Sequence, residues 1–170
     1  MLQSPDVQPV RVYIGLGGNL EQPAERIRSA RPVIAAIPSI HEVAFSSLYR
    51  SAPMGPSDQP DYVNAVMAVD TILAPLTLLD ELQAVENAFG RVRLGDHWGP
   101  RTLDLDILLY GDLQQISERL TVPHVGLSLR EFVLYPLQEI APELDVPGLG
   151  ALGALVQACP RRGLSVIADV

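Results

Sequence analysis

The sequence predicts an α+β fold, an antiparallel sheet with helices packed against it in a two-layer sandwich. Three observations carry that expectation. Short runs alternate or cluster apolar residues as strands do, and two longer runs place them at helical spacing. Glycine and proline punctuate the joins between runs. The runs follow one another as strand, helix, strand, strand, helix, strand, which is the element order of a ferredoxin-like sandwich.

Residues 10–16 read as the first strand, and Gly15-Leu16-Gly17-Gly18-Asn19 as a tight turn leaving it, with glycine supplying positive φ. The spacing is not the G-x-G-x-x-G of a dinucleotide site. A helix opens near Pro23 with Ile27, Ala30, Ile34 and Ile37 as its apolar stripe. Pro32 should kink or shorten it, because an interior proline costs about 3 kcal/mol, and Pro38 ends it. Residues 40–49 form a second strand, 52–60 a long Pro/Gly loop, and 62–72 a third strand. Ala74-Pro75 opens a second helix that runs to Phe89 and is capped by Gly90. Leu78, Leu82, Val85 and Phe89 make its core stripe, with Leu79, Gln83 and Glu86 beside it, where the two polar residues could equally be solvated. A second long loop carries Trp98 between Gly90 and Gly99. A strand follows from Leu103, then a short edge strand within 118–123 and a helical pattern over 128–140, broken at Pro136. Residues 142–170 read as turns, a short helix and a tail. One domain spans 1–170, with 1–9 and 160–170 as tails.

The chain has 170 residues, enough for a single domain with a sizeable core. No 18-residue apolar run and no basic, apolar leader appears, so the chain is expected to be soluble and cytoplasmic, without a membrane partner. Its one cysteine, Cys159, excludes an intramolecular disulfide and fits a reducing compartment. A net charge of −8 argues against nucleic acid as the main partner. All 12 basic residues are arginine. The absence of lysine excludes a Walker A loop and Schiff-base chemistry by lysine. Any phosphate must be held by arginine, histidine, backbone N–H groups or metal.

The chemistry concentrates in Gly99-Pro100-Arg101-Thr102-Leu103-Asp104-Leu105-Asp106-Ile107-Leu108-Leu109. Residues two apart on a strand share a face, so Asp104 and Asp106 point the same way with Cα atoms about 6.5–7 Å apart. Leu103, Leu105 and Ile107 point oppositely, into a core. Paired carboxylates on a mostly buried strand repel one another unless a cation sits between them. Mg²⁺ with Arg101 beside such a pair suits a polyphosphate.

This run closely resembles the signature of the 6-hydroxymethyl-7,8-dihydropterin pyrophosphokinase family. The resemblance extends over Tyr13 to Pro142 through Gly15-x-Gly-x-Asn19-Leu20, Ser46-Ser47-x-Tyr49, Asp58-Gln59-Pro60-Asp61-Tyr62-x-Asn64-Ala65, Gly90-Arg91-Val92-Arg93, Trp98 to Asp106, and Arg119 to His124. It implies an ATP-dependent diphosphotransferase of folate biosynthesis that moves the β,γ-diphosphate of ATP to the pterin hydroxymethyl and leaves AMP. It implies that Asp104 and Asp106 hold two Mg²⁺ on the triphosphate, while Arg91, Arg93, Arg101 and Arg130, with His124, line the phosphates. Leu79, Gln83 and Glu86 would face the nucleotide, Arg119 and Thr121 the base and ribose, and Ile107 the adenine. Tyr62 and Phe132 would sandwich the pterin, Asn64 would bond its edge, and Ser51, Ala52, Met54 and Trp98 would close the site.

Four positions depart from the commoner family pattern: Gly18 for Ser, His97 for Arg, Val125 for Tyr and Ala52 for Pro. His97 forfeits a permanent charge and a bidentate fork. Asp106 is the candidate general base, although a loose transition state can dispense with one. The loop from Arg91 to Arg101 is expected to close as a lid over both ligands. The working form is expected to be a monomer. Two other readings compete: a D-x-D nucleotide-sugar transferase, which usually needs a larger nucleotide-binding half, and a non-catalytic ferredoxin-like domain, which leaves the clustered Asp, Arg, Trp and His unexplained.

Overall fold

The computed structural model describes residues 7–20, 22–51, 61–90 and 103–167. The predicted order is present with its second strand divided: β1 (Val10–Gly18), α1 (Pro23–Ala35), β2 (Ile40–Phe45), β3 (Tyr49–Ser51), β4 (Tyr62–Thr71), α2 (Pro75–Ala88) and β5 (Asp104–Tyr110). A hairpin of β6 (Gln115–Ile116) and β7 (Thr121–Val122) follows, then a 3₁₀ turn at Leu127–Leu129 and α3 (Glu131–Ile140). The chain continues through β8 (Asp145–Val146), β9 (Gly150–Ala151), α4 (Leu152–Gln157) and β10 (Ser165–Val166). The main sheet runs β10-β3-β4-β1-β5, with β2 also on β4, and every pairing is antiparallel.

Alternation along β1 and β4 sorts their side chains between two cores. Ile14, Leu16, Met67 and Ile107 meet Ile27 and Ile34 of α1 and Leu78 and Leu82 of α2. Tyr13, Val66, Ala68 and Leu108 meet Leu134 and Leu137 of α3 and Leu152 of α4. The expected sheet-and-helix sandwich is therefore present in α1, α2 and the sheet, and the C-terminal helices add a third layer. The unbroken buried run Ala65-Val66-Met67-Ala68-Val69 is the physical reason, since a strand that is apolar on both faces needs cover on both.

Other details differ from the sequence reading. The strand expected over 40–49 is two strands. Ser46 interrupts it by using its side chain in the ladder: its N–H donates to the Val66 carbonyl, and its Oγ accepts from the Val66 N–H, each at 2.9 Å. Pro32 neither ends nor shortens α1, and α3 runs through Pro136 to Ile140. Burial of Ile34 beside the first proline, and of Leu134 and Leu137 beside the second, offsets the missing backbone donor. Gly15 and Gly17 lie inside β1 and have no positive φ. The stretch expected as a C-terminal tail carries β10, where Ser165 faces Arg50 and Val166 faces Tyr49; Leu164, buried beside it, anchors the strand.

Candidate active site

Two strands build the floor of the site. Across the β1–β5 register Asp104 lies opposite Gly17 and Asp106 opposite Gly15. The acidic pair thus stands beside a strip of sheet with no side chains of its own. Leu105 and Ile107 alternate with the aspartates and are buried in the core, as the pattern requires. Asp104 is half-buried and Asp106 exposed, so the pair is wetter than the run of apolar neighbours suggests.

A cavity of about 320 Å³ opens over this floor. It is lined by Ser51, Tyr62 and Asn64 from β3 and β4, by Arg130, Glu131 and Phe132 at the start of α3, and by Asp104, Asp106 and His124. A second cavity, about 210 Å³, is lined by Leu79, Ile107, Arg119, Thr121 and Val125 among others. Asp106 and His124 line both.

Glycine at 17 has a steric cause. A Cβ there would lie 2.4 Å from the Asn64 Oδ1, so the Asn64 amide occupies the space above β1. The Nδ2 of that amide is buried and has no hydrogen-bond partner. An unpaired buried donor costs about 1–3 kcal/mol, which suits a site completed by a ligand acceptor. Asn19 Oδ1 is the other such buried atom among the described residues.

His124 is held by its backbone N–H, which donates to the Leu108 carbonyl at 2.9 Å. Its Nδ1 accepts from the Gly126 N–H at 3.1 Å, which leaves the ring proton of the neutral imidazole on Nε2. Burial lowers its pKa, Asp106 opposes that shift, and Arg130 reinforces it. Arg130 rests its guanidinium 5.8 Å from the Phe132 ring centroid, within cation–π range.

These features coincide with sequence relationships. Residues 13–142 match the family described as 7,8-dihydro-6-hydroxymethylpterin-pyrophosphokinase. The chain belongs to that family. It is 52% identical over 154 residues to the 2-amino-4-hydroxy-6-hydroxymethyldihydropteridine pyrophosphokinase of Pseudomonas aeruginosa, covering 91% of this chain and 94% of the relative. It is likewise 52% identical over 148 residues to the same-named Haemophilus influenzae protein, covering 87% and 92%. A crystal structure of wild-type Plasmodium falciparum HPPK-DHPS shares the fold with TM-score 0.70 at 14% identity. That match covers 91% of this chain but only 42% of the Plasmodium chain, so this chain spans less than half of it.

Within this family member, the residues expected around a pterin and described here, Ser51, Tyr62, Asn64 and Phe132, converge on the first cavity. Of those expected around ATP, Leu79, Ile107, Arg119, Thr121 and His124 converge on the second. Arg130 lines the first cavity and not the second. Arg119 also pairs with Asp80 at 2.6 Å. Gln83 is half-buried and lines neither cavity. Glu86 requires a correction: it is neither solvated nor on a cavity wall but 4% exposed, and its Oε2 accepts the Leu105 N–H at 2.8 Å. The apolar stripe placed Glu86 on a boundary, and packing of α2 beneath β5 turned it inward. Arg91, Arg93, His97, Trp98, Arg101, Ala52 and Met54 lie outside the described residues.

Sequence reasoning missed Gly15, Gly17 and Glu131 as lining residues. The period-two spacing of Gly15 and Gly17 matches that of Asp104 and Asp106, and this was the available signal. Among the described residues no cluster of three or more His, Cys, Asp or Glu could hold a metal. Two carboxylates without a full protein cage fit Mg²⁺, which keeps waters and takes its remaining ligands from substrate phosphates.

Proposed function

We propose that this chain transfers the β,γ-diphosphate of ATP to the hydroxymethyl oxygen of 6-hydroxymethyl-7,8-dihydropterin, forming the pterin diphosphate and AMP in folate biosynthesis. The observation that carries the mechanism is the junction of the two cavities at Asp106 and His124. A nucleotide in one and a pterin in the other would bring the reacting oxygen and phosphorus together there, and such positioning supplies most of the catalysis in phosphoryl transfer.

The pterin would enter the first cavity between Tyr62 and Phe132, with its polar edge on the Asn64 Nδ2 that otherwise lacks a partner. Ser51, which lines the same cavity, would border that edge. Adenine and ribose would occupy the second cavity against Leu79, Ile107, Arg119 and Thr121. Asp104 and Asp106 would hold two Mg²⁺, which when bound supply neutralisation of the charge on the transferred group and on AMP. His124, whose Nδ1 accepts the Gly126 N–H, would turn its Nε2–H toward a phosphate oxygen, and burial lowers its pKa, which favours the neutral ring. Arg130 would add fixed positive charge from the pterin side. Arg91, Arg93 and Arg101 complete the proposed phosphate set.

The proposed working form is a cytoplasmic monomer. Among the described residues no helix is long and apolar enough to cross a membrane. The deciding assay mixes the protein with ATP, Mg²⁺ and the reduced pterin and identifies the nucleotide product. AMP formed only when pterin is present is expected. Pterin-dependent ADP would refute diphosphoryl transfer, and sedimentation at twice the 18.4 kDa mass would refute the monomer.

A further inference from the structure

The strand β3 is three residues long, yet its last residue, Ser51, lines the first cavity and its first, Tyr49, lies opposite Asn64. So short a strand needs outside support. Part of it comes from the flanking strands β4 and β10. The rest comes from one carboxylate on α3. Glu139 Oε2 accepts the Ser47 N–H at 2.9 Å and the Ser47 hydroxyl at 3.0 Å. Glu139 Oε1 accepts the Tyr49 hydroxyl at 2.5 Å. Three donors from the β2–β3 connection and the start of β3 therefore converge on one side chain of α3.

The same helix carries Phe132 and begins next to Arg130, so it also lines the cavity. Glu139 lies seven positions after Phe132, about 10 Å or two turns along the helix. We propose that Glu139 is a positioning residue for the first cavity: by locking the C-terminal turn of α3 to Ser47 and Tyr49, it sets the distance between the Phe132 wall and the Asn64–Ser51 wall. The interaction is not what folds the helix. Leu134 and Leu137 are fully buried beneath it and hold α3 on the sheet in any case. Loss of the carboxylate should loosen the cavity rather than unfold the protein. The second cavity contains no residue of β3 or α3, so nucleotide binding should be spared.

The inference rests on the functional reading above, and the test separates the two. Glu139→Ala, Glu139→Gln, Tyr49→Phe and the Glu139→Ala/Tyr49→Phe double variant are assayed with each substrate varied in turn. Hydrogen exchange is measured on the ligand-free proteins alongside. Glu139→Ala should raise the pterin KM about five- to tenfold and leave the ATP KM unchanged. Glu139→Gln, which keeps an acceptor oxygen, should recover part of the loss. The double variant should be no worse than Glu139→Ala, because both remove one interaction. Exchange should quicken both in residues 46–51 and in the last turn of α3, where Glu139 sits. A parallel rise in both KM values, or unchanged exchange in these two segments, would overturn the positioning role. A wild-type protein that makes no AMP would refute the functional reading alone, and the exchange data would still decide the role of Glu139.

Discussion

Gly17→Ala offers a sharp test of how the first cavity is built. The new Cβ would lie 2.4 Å from the Asn64 Oδ1, whereas carbon and oxygen approach one another to about 3.3 Å. The amide must therefore retreat by about 1 Å, and its Nδ2 moves with it. The obstructing atom is the end of a side chain, so the retreat is cheap for the fold. It is expensive for a ligand whose edge that amide must meet: a lost buried hydrogen bond costs about 1–3 kcal/mol, or roughly 5- to 150-fold in pterin Kd. A Cβ on Gly15 would meet Leu108 Cδ2 at 3.4 Å, an ordinary contact, so Gly15→Ala should not displace the Asn64 amide. Titration calorimetry with the pterin and, separately, with a non-hydrolysable ATP analogue provides the assay. Gly17→Ala and Asn64→Ala should both weaken pterin binding and spare the nucleotide, because neither residue lines the second cavity. Wild-type pterin affinity in Gly17→Ala would refute the steric argument, and equal losses for both ligands would remove Asn64 from a pterin-specific wall.

Other substitutions probe the metal pair, the α2–β5 contact and the buried phenols. Asp104→Asn and Asp106→Asn should each lower Mg²⁺-dependent turnover by about 100-fold or more at near-wild-type melting temperature; a large melting loss with Mg²⁺ binding retained would make the pair structural. Glu86→Ala should strand the Leu105 N–H beneath α2, costing about 1–3 kcal/mol and lowering Tm by roughly 3–10 °C, with Glu86→Gln costing less; calorimetry that finds no change would show the bond is replaced. Burial and the bond to Glu139 raise the Tyr49 pKa, and burial raises that of Tyr110. The folded state therefore retains those protons above the usual value of 10.0, and the stability they contribute is present below pH 10 and lost as pH climbs through the folded values. Phenolate absorbance, compared between wild type and the Tyr49→Phe and Tyr110→Phe variants, should show these two ionising late, and Tyr49→Phe should flatten the loss of stability above pH 10; ionisation of both near the usual value would contradict the burial.

Much of this protein is written locally. The D-x-D strand declares its two faces because side-chain direction alternates along any strand, so Leu105 and Ile107 were readable as core and Asp104 and Asp106 as a shared face without a partner strand in view. The order of strands and helices likewise specified an antiparallel sheet, since each element carried its own period and stops. Tertiary structure decided what depends on approach between distant segments. Gly17 looks like a turn residue until β4 brings Asn64 over it, and its lack of a side chain then serves that amide. Glu86 sits at the edge of a helical stripe, and only the docking of α2 beneath β5 gives its carboxylate the Leu105 N–H. Ser46 is one more polar residue in an apolar run until the Val66 backbone lies beside it and breaks a strand in two. The third layer and the strand β10 were illegible for the same reason. Periodicity reports that a helix has an apolar face, and burial on both sides of β4 determines which surface receives it.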